Sequence, residues 1–254
     1  MKIVCVIPAR YKSSRFPGKP LADICGKPMI WYVYQQCMKV RAFDKVVVAT
    51  DDERIKAACE DASMACLMTS DQHMTGTDRV AEVAANIPGD LYVNVQGDEP
   101  LVRPDVIHTV VEPFSLPGFD KQVTNLMAPI HDPVDLINTT VVKVVTKADG
   151  TGMFLSRAAI PYPKGNLSIQ YYKQLGIYAF SRDALAFYRD YGKAHGKARI
   201  EKIEDVEMLR FIENGWDVQF ISVNETSIAV DTPSDLERVR ALIGQHNCEN
   251  NRSE

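Results

Sequence analysis

No apolar run in this chain of 254 residues approaches the ~18 to 20 needed to cross a bilayer, which excludes a helical membrane span. The opening "MKIVCVIPAR" meets Pro8 and Arg10 after one short apolar run and lacks the long apolar region and small-residue cleavage site of a secretory leader. The expectation is a cytoplasmic protein without membrane insertion. Charge of one sign is also lacking. With a net charge of −4 a general nucleic-acid surface or basic membrane-docking face is not expected, and any positive site must be local. The six cysteines (Cys5, Cys25, Cys37, Cys59, Cys66, Cys248) show no CxxC spacing, so no disulfide framework is expected and they read as reduced core filling. His73, His108, His131 and His195 have no metal-ligand spacing. Internal repeats and low-complexity linkers are absent as well.

What is present is alternation. With 46% hydrophobic and 24% charged residues the chain can build a sizeable core. Short β-branched runs at 2–7, 45–50, 65–69 and 90–96 alternate with helical patterns at 29–40, 52–62 and 77–87. That order predicts βαβ units in a parallel sheet covered on both faces. The regularity breaks at 122–130, 140–158 and 173–182, which read as longer strands with a hairpin signal "ADG" at 148–150. A helix is predicted over 202–215 with Gly215 as its C-terminal cap, then a strand over 217–223 and a helix over 234–243. The basic stretch 193–199 reads as a solvated loop. The domain reading is one α/β unit over 1–243, with a mixed-sheet insertion across about 120–200, and a flexible polar tail over 244–254.

In an open parallel sheet, ligands sit beyond the carboxyl ends of strands. The loop after the first strand reads "PARYKSSRFPGK" and gathers Arg10, Lys12, Arg15 and Lys19 among small residues. Such a loop suits a polyanion such as a triphosphate. Its spacing matches neither the P-loop nor the dinucleotide fingerprint. The fourth strand ends in "NVQGDEP", where Asp98 follows Gly97. A carboxylate there can hold a hard divalent cation such as Mg²⁺ or cap the helix that follows, and the motif alone leaves both open.

Taken together, "IPARYKSSRFPGKPL", "VATDD", "TGTDR", "VNVQGDEP", "FLSRAAIPYP", "LGIYAFSR" and "AVDTPSDLERVR" resemble the CMP-Kdo synthetases, the 3-deoxy-manno-octulosonate cytidylyltransferases of bacterial lipopolysaccharide or capsule synthesis. The resemblance spans residue 2 to about 243. It implies a Rossmann-like nucleotidyltransferase fold, mostly parallel, with an inserted mixed-sheet dimerisation region and a homodimer. It also implies transfer of CMP from CTP to the anomeric 2-hydroxyl of 3-deoxy-D-manno-octulosonic acid (Kdo), releasing pyrophosphate. By the same resemblance Arg10, Arg15 and Lys19 hold the triphosphate, with Pro8 and Ala9 against the cytidine and Gly76, Thr77 and Arg79 around the nucleotide. Asp98 and Asp231 match the magnesium carboxylates, and Asp231 has the alternative of capping its helix. With Arg10 and Lys19 these two acids make up the implied catalytic set. Arg157, Gln174, Tyr178, Glu207 and Met208 fall on the sugar side, Arg157 suited to a carboxylate. Tyr178 has the alternative of being a packed strand aromatic.

Two positions depart from the family pattern. Gln174 stands where many members have histidine, and Met208 where they have glutamine. A methionine cannot replace an amide's donor and acceptor. The acceptor is therefore Kdo or a related 3-deoxy-2-ulosonic acid, such as 8-amino-Kdo or a nonulosonate. A sugar-1-phosphate acceptor fits Arg157 less well, and a non-catalytic nucleotide-binding subunit is the reading from a different class.

Overall fold

A computed structural model of the chain describes residues 1–12, 16–165, 168–224 and 227–250, with only the backbone given for 245–250. Strand β1 (Ile3–Ala9) is buried along its whole length because it lies between two parallel neighbours, β4 (Lys45–Thr50) and β6 (Leu91–Val95). Between β1 and β4 come the two-residue strands β2 (Asp23–Ile24) and β3 (Lys27–Pro28), which pair as a small hairpin, and helix α1 (Met29–Met38). Helix α2 (Glu53–Asp61), capped by Asp52, leads to β5 (Cys66–Met68), and α3 (Gly76–Asn86), opened by a Thr75–Asp78 capping box, leads to β6. These are the predicted βαβ units.

After β6 the order is α4 (Pro104–Thr109), β7 (Val123–Pro129), α5 (Pro133–Ile137), β8 (Lys143–Thr146) and β9 (Gly152–Ser156). Then follow β10 (Tyr172–Ser181), α6 (Arg182–His195), α7 (Arg199–Glu204), α8 (Met208–Glu213), β11 (Val218–Ser222) and α9 (Pro233–Asn250). The main sheet runs β11-β7-β10-β6-β1-β4-β5, with β8 attached to β10 and β9 to β8. Only β10 enters the main path antiparallel, to both β6 and β7. The stretch expected as an insertion across about 120–200 therefore divides. Strands β7 and β10 are interior strands of the main sheet, and α5, β8 and β9 form the excursion between them. The hairpin at Asp149 and Gly150 joins β8 to β9 as predicted, with Gly150 at φ +85°.

Alternate residues of β1 face opposite layers. Cys5 and Ile7 meet α1 and α2, while Val4 and Val6 meet α3, α6 and α8. A third apolar cluster joins Ile24 and Met29 to Val230, Leu236 and Val239, pinning α9 over the first loop. Three expectations need correction. The helix predicted over 202–215 is two helices, broken where Asp205 takes a left-handed φ of +51°. The basic stretch 193–199 is mostly helix, since α6 runs through His195 and α7 starts at Arg199. The polar tail is helical to Asn250, because α9 continues past 243. Residues 251–254 lie outside the described residues.

Candidate active site

The carboxyl ends of β1 and β6 lie side by side, so Pro8, Ala9 and Arg10 leave the sheet next to Gln96, Gly97 and Asp98. Gly97 permits that approach: a Cβ there would lie 3.3 Å from the Pro8 carbonyl oxygen and 3.1 Å from Ile30. Around these ends opens a cavity of about 440 Å³, which also takes in Lys12, Lys19, Gly76 and Asp205. Gly18 turns the loop at φ +73° and delivers Lys19 inward. The Lys19 ammonium lies 2.9 Å from Asp98 Oδ2 and 3.5 Å from Asp231 Oδ1. The Val230 N–H donates to the Asp98 carbonyl at 2.8 Å, tying the segment before α9 to the end of β6. Thr232 and Asp235 close the start of α9, through the Thr232 N–H to Asp235 Oδ2 at 2.9 Å and the Asp235 N–H to Thr232 Oγ1 at 3.3 Å. Asp231 lines the cavity beside Lys19.

The start of α3 is already supplied with an anion. Glu207 Oε1 accepts the Gly76 N–H at 3.1 Å, and Oε2 accepts the Thr77 N–H at 2.9 Å together with the Thr77 hydroxyl. Burial raises the Glu207 carboxyl above its ordinary range, and these bonds oppose the rise. Glu207 thus lines the first cavity, although the resemblance had put it on the sugar side. Thr77 and Arg79 are fully buried. Arg79 binds Thr69 Oγ1 at 2.7 Å and Asp51 at 3.1 Å, bracing α3 against the end of β4. Of "TGTDR", only Gly76 reaches the cavity. Arg15 lies outside the described residues.

A second cavity of about 780 Å³ adjoins the first and shares Asp231 with it. Glu99, Lys173, Gln174, Tyr178, His131 and Arg238 stand on its walls. Burial, and after it the neighbouring Asp98 charge, push Glu99 up to about 7. Tyr178 is both packed and lining: it is 7% exposed, stacks edgewise near Phe180, and its phenol is raised by burial. Gln174 and Tyr178 flank a bulge in β10. Gly176 sits in that bulge, where a Cβ would come within 2.7 Å of Gln96.

Two of the sugar-side residues line neither cavity. Met208 is 0% exposed in the core against α3 and α6, so its departure from the family pattern does not face either cavity. Arg157 spreads its guanidinium over three backbone carbonyls, Glu204 at 2.6 Å, Thr139 at 2.9 Å and Asp205 at 3.1 Å. It ties the loop beside the second cavity to the turn beside the first. Lys173, Arg238 and Asp205 were missed from sequence, where Lys173 falls on the strand face opposite to that of Gln174 by parity and Arg238 reads as an ordinary helix charge.

Among the described residues no three His, Cys, Asp or Glu side chains cluster as metal ligands. Asp98 and Asp231 nevertheless already share a cation, the Lys19 ammonium. Mg²⁺ commonly takes one or two carboxylates and completes its shell with water and substrate phosphates, so this pair fits it.

Comparison with known proteins follows the same lines. Residues 4–226 match the family model described as "Cytidylyltransferase". The 3-deoxy-manno-octulosonate cytidylyltransferase of Lawsonia intracellularis (strain PHE/MN1-00) is 43% identical over 244 residues, covering 94% of this chain and 93% of that one. The Escherichia coli protein of the same description is 40% identical, covering 98% and 99%. A solved CMP:2-keto-3-deoxy-manno-octonic acid synthetase complexed with CTP superposes with a TM-score of 0.88 at 39% identity, over 97% of this chain and 100% of that one. At 13% identity and a TM-score of 0.65, a 4-diphosphocytidyl-2C-methyl-D-erythritol synthase from Anaerococcus prevotii shares the fold.

Proposed function

The chain belongs to the 3-deoxy-manno-octulosonate cytidylyltransferases, and from that premise we propose that its two adjoining cavities divide the two substrates, CTP in the first and Kdo in the second. The observation that carries this division is the position of Asp231, which faces both cavities and meets Asp98 and Lys19 at their border. The activity is transfer of CMP from CTP to Kdo.

Arg10, Lys12 and Lys19 supply positive charge where the triphosphate lies. Gly76, whose missing Cβ would press within 3.2 Å of Gln96, borders the nucleotide, and Pro8 and Ala9 form the floor. The sugar 2-hydroxyl, held beyond Asp231, attacks the α-phosphorus in line; the new P–O bond forms as the bond to the β-phosphate oxygen breaks, the hydroxyl proton passes to solvent, and pyrophosphate leaves. Alignment and charge neutralisation carry most of such a transfer. Asp98 and Asp231 would hold Mg²⁺, which when bound supplies charge neutralisation to the phosphate oxygens. For the acceptor's carboxylate the second cavity offers Lys173 and Arg238. Arg157 is less suited, since each of its nitrogens already donates to a carbonyl.

A homodimer is supported by apolar groups on the excursion between β7 and β10: Val134, Ile137, Met153 and Tyr162 are all more than half exposed. A CTP-consuming step also suits the cytoplasm. The test of function is pyrophosphate release from CTP and Kdo with Mg²⁺. Release that requires both substrates is expected; release with CTP and any other sugar acid but not Kdo would overturn the reading. The dimer is tested by light scattering, where a monomeric mass at micromolar protein would remove it.

A further inference from the structure

Asn125 lies on β7 opposite the bulge of β10 and is 0% exposed. Its Nδ2 stands 3.1 Å from the Leu126 carbonyl oxygen, 3.0 Å from that of Leu175 and 3.0 Å from that of Ile177. These contacts replace ladder bonds that the bulge interrupts. They also settle the amide's orientation, because the reverse would press an oxygen against three carbonyl oxygens. The Asn125 Oδ1 can therefore only accept, and it accepts from Gln174 Nε2 at 2.7 Å. The orientation of the second amide follows from the first.

Gln174 has no other side-chain hydrogen bond among the described residues, its backbone N–H goes to the Val142 carbonyl at 2.9 Å, and it lines the second cavity. One amide proton and the carbonyl oxygen thus remain for a ligand. A paired donor and acceptor is complementary to a hydroxyl, which is also both, and not to a carboxylate, which only accepts. Two neutral amides in series give this wall a fixed polarity.

We propose that Asn125 is a positioning residue that sets acceptor specificity: it locks the Gln174 amide so that one N–H and one carbonyl oxygen read a hydroxyl of the sugar. The inference rests on the second cavity being the sugar side. Sites that hydrogen-bond a hydroxyl discriminate strongly against analogues lacking it, and the lock removes the alternative in which the amide turns to suit another group.

The test is a double-mutant cycle read as separate KM values for Kdo and CTP. Asn125→Ser and Gln174→Met are each expected to raise KM for Kdo by about tenfold or more while KM for CTP stays within about twofold. The double variant is expected to be no worse than the worse single one, because Asn125 acts through Gln174. Additive losses, or a rise in KM for CTP that follows a fall in Tm, would overturn the proposal. Should Asn125→Ser fail to fold, Gln174→Glu at pH 8 decides. A locked Asn125 oxygen repels the carboxylate, so KM for Kdo rises at least as far as in Gln174→Met; a wild-type KM in that variant means Asn125 turns freely and the lock does not exist. Wild-type protein that turned over no Kdo would remove the proposed function, and this inference with it; normal turnover without coupling removes only the inference.

Discussion

Lys19 gives a shared positive partner to two carboxylates that the Val230–Asp98 backbone bond brings together. Asp98→Asn and Asp231→Asn keep shape and lose the charge, so each is expected to lower kcat by about a hundredfold or more with Tm within a few degrees. Near-normal turnover at saturating Mg²⁺ would take that residue out of the site. Lys19→Ala is expected to weaken CTP by about tenfold, from one charge-assisted contact. Glu99 makes a prediction about stability. Its carboxyl titrates at about 7 in the fold against an ordinary 4.5, so the folded chain holds a proton that the unfolded chain releases. That contribution is complete below 4.5 and is lost as pH rises through 7, by about 3 kcal/mol. Glu99→Gln should therefore gain Tm over the wild type as pH rises from 5 to 8, and a constant difference would contradict the burial argument. In the sequence Lys19, Asp98 and Asp231 were legible because their loops carry specific motifs. The full burial of Arg79, Thr77 and Met208 was not legible, because a motif records which residues occur together and not which way each one points.

At the scale of elements, the βαβ half was legible from periodicity, and the hairpin at Asp149–Gly150 from its turn residues. Helix α6 was not, although the Ser181 hydroxyl, which accepts the Ala184 N–H at 3.1 Å, and Asp183 in the first turn mark its start. The break between α7 and α8 was illegible for another reason. A left-handed aspartate such as Asp205 carries no signal comparable to a glycine. That break matters, because Asp205 lines the first cavity and its carbonyl is one of the three that Arg157 holds. Arg157→Ala releases both the Thr139 loop and this turn, so KM for both substrates should rise, by about threefold or more each, and Arg157→Lys should recover part of the loss. A rise confined to the sugar would return Arg157 to the role of a carboxylate ligand.

The whole molecule was legible as α/β and mostly parallel, yet the one strand reversed within the main path of the sheet was not. Reading β10 as part of an insertion hid the fact that it borders β6, the strand that carries Asp98. Because β10 runs against β6, Gly176, Tyr178 and Gln174 come to lie beside the carboxyl end of the parallel set, and one end of the sheet borders both cavities. Periodicity reports burial and spacing, and it carries no information on strand direction.

The bond from the Val230 N–H to the Asp98 carbonyl, and that of Arg240 to the Asp23 carbonyl at 2.6 Å, close the oldest part of the chain with its newest. Proteins are made from the N-terminus and their early parts fold first, so the ribosome delivers a complete sheet before it delivers Asp231. A chain stopped after Asn224 keeps every strand and lacks the second carboxylate and α9. It is expected to show strand signal in circular dichroism and no rise in Tm with CTP; a CTP-dependent rise equal to that of the full chain would contradict this. On that expectation nucleotide binding waits for Asp231 and α9, which leave the ribosome after every strand of the sheet.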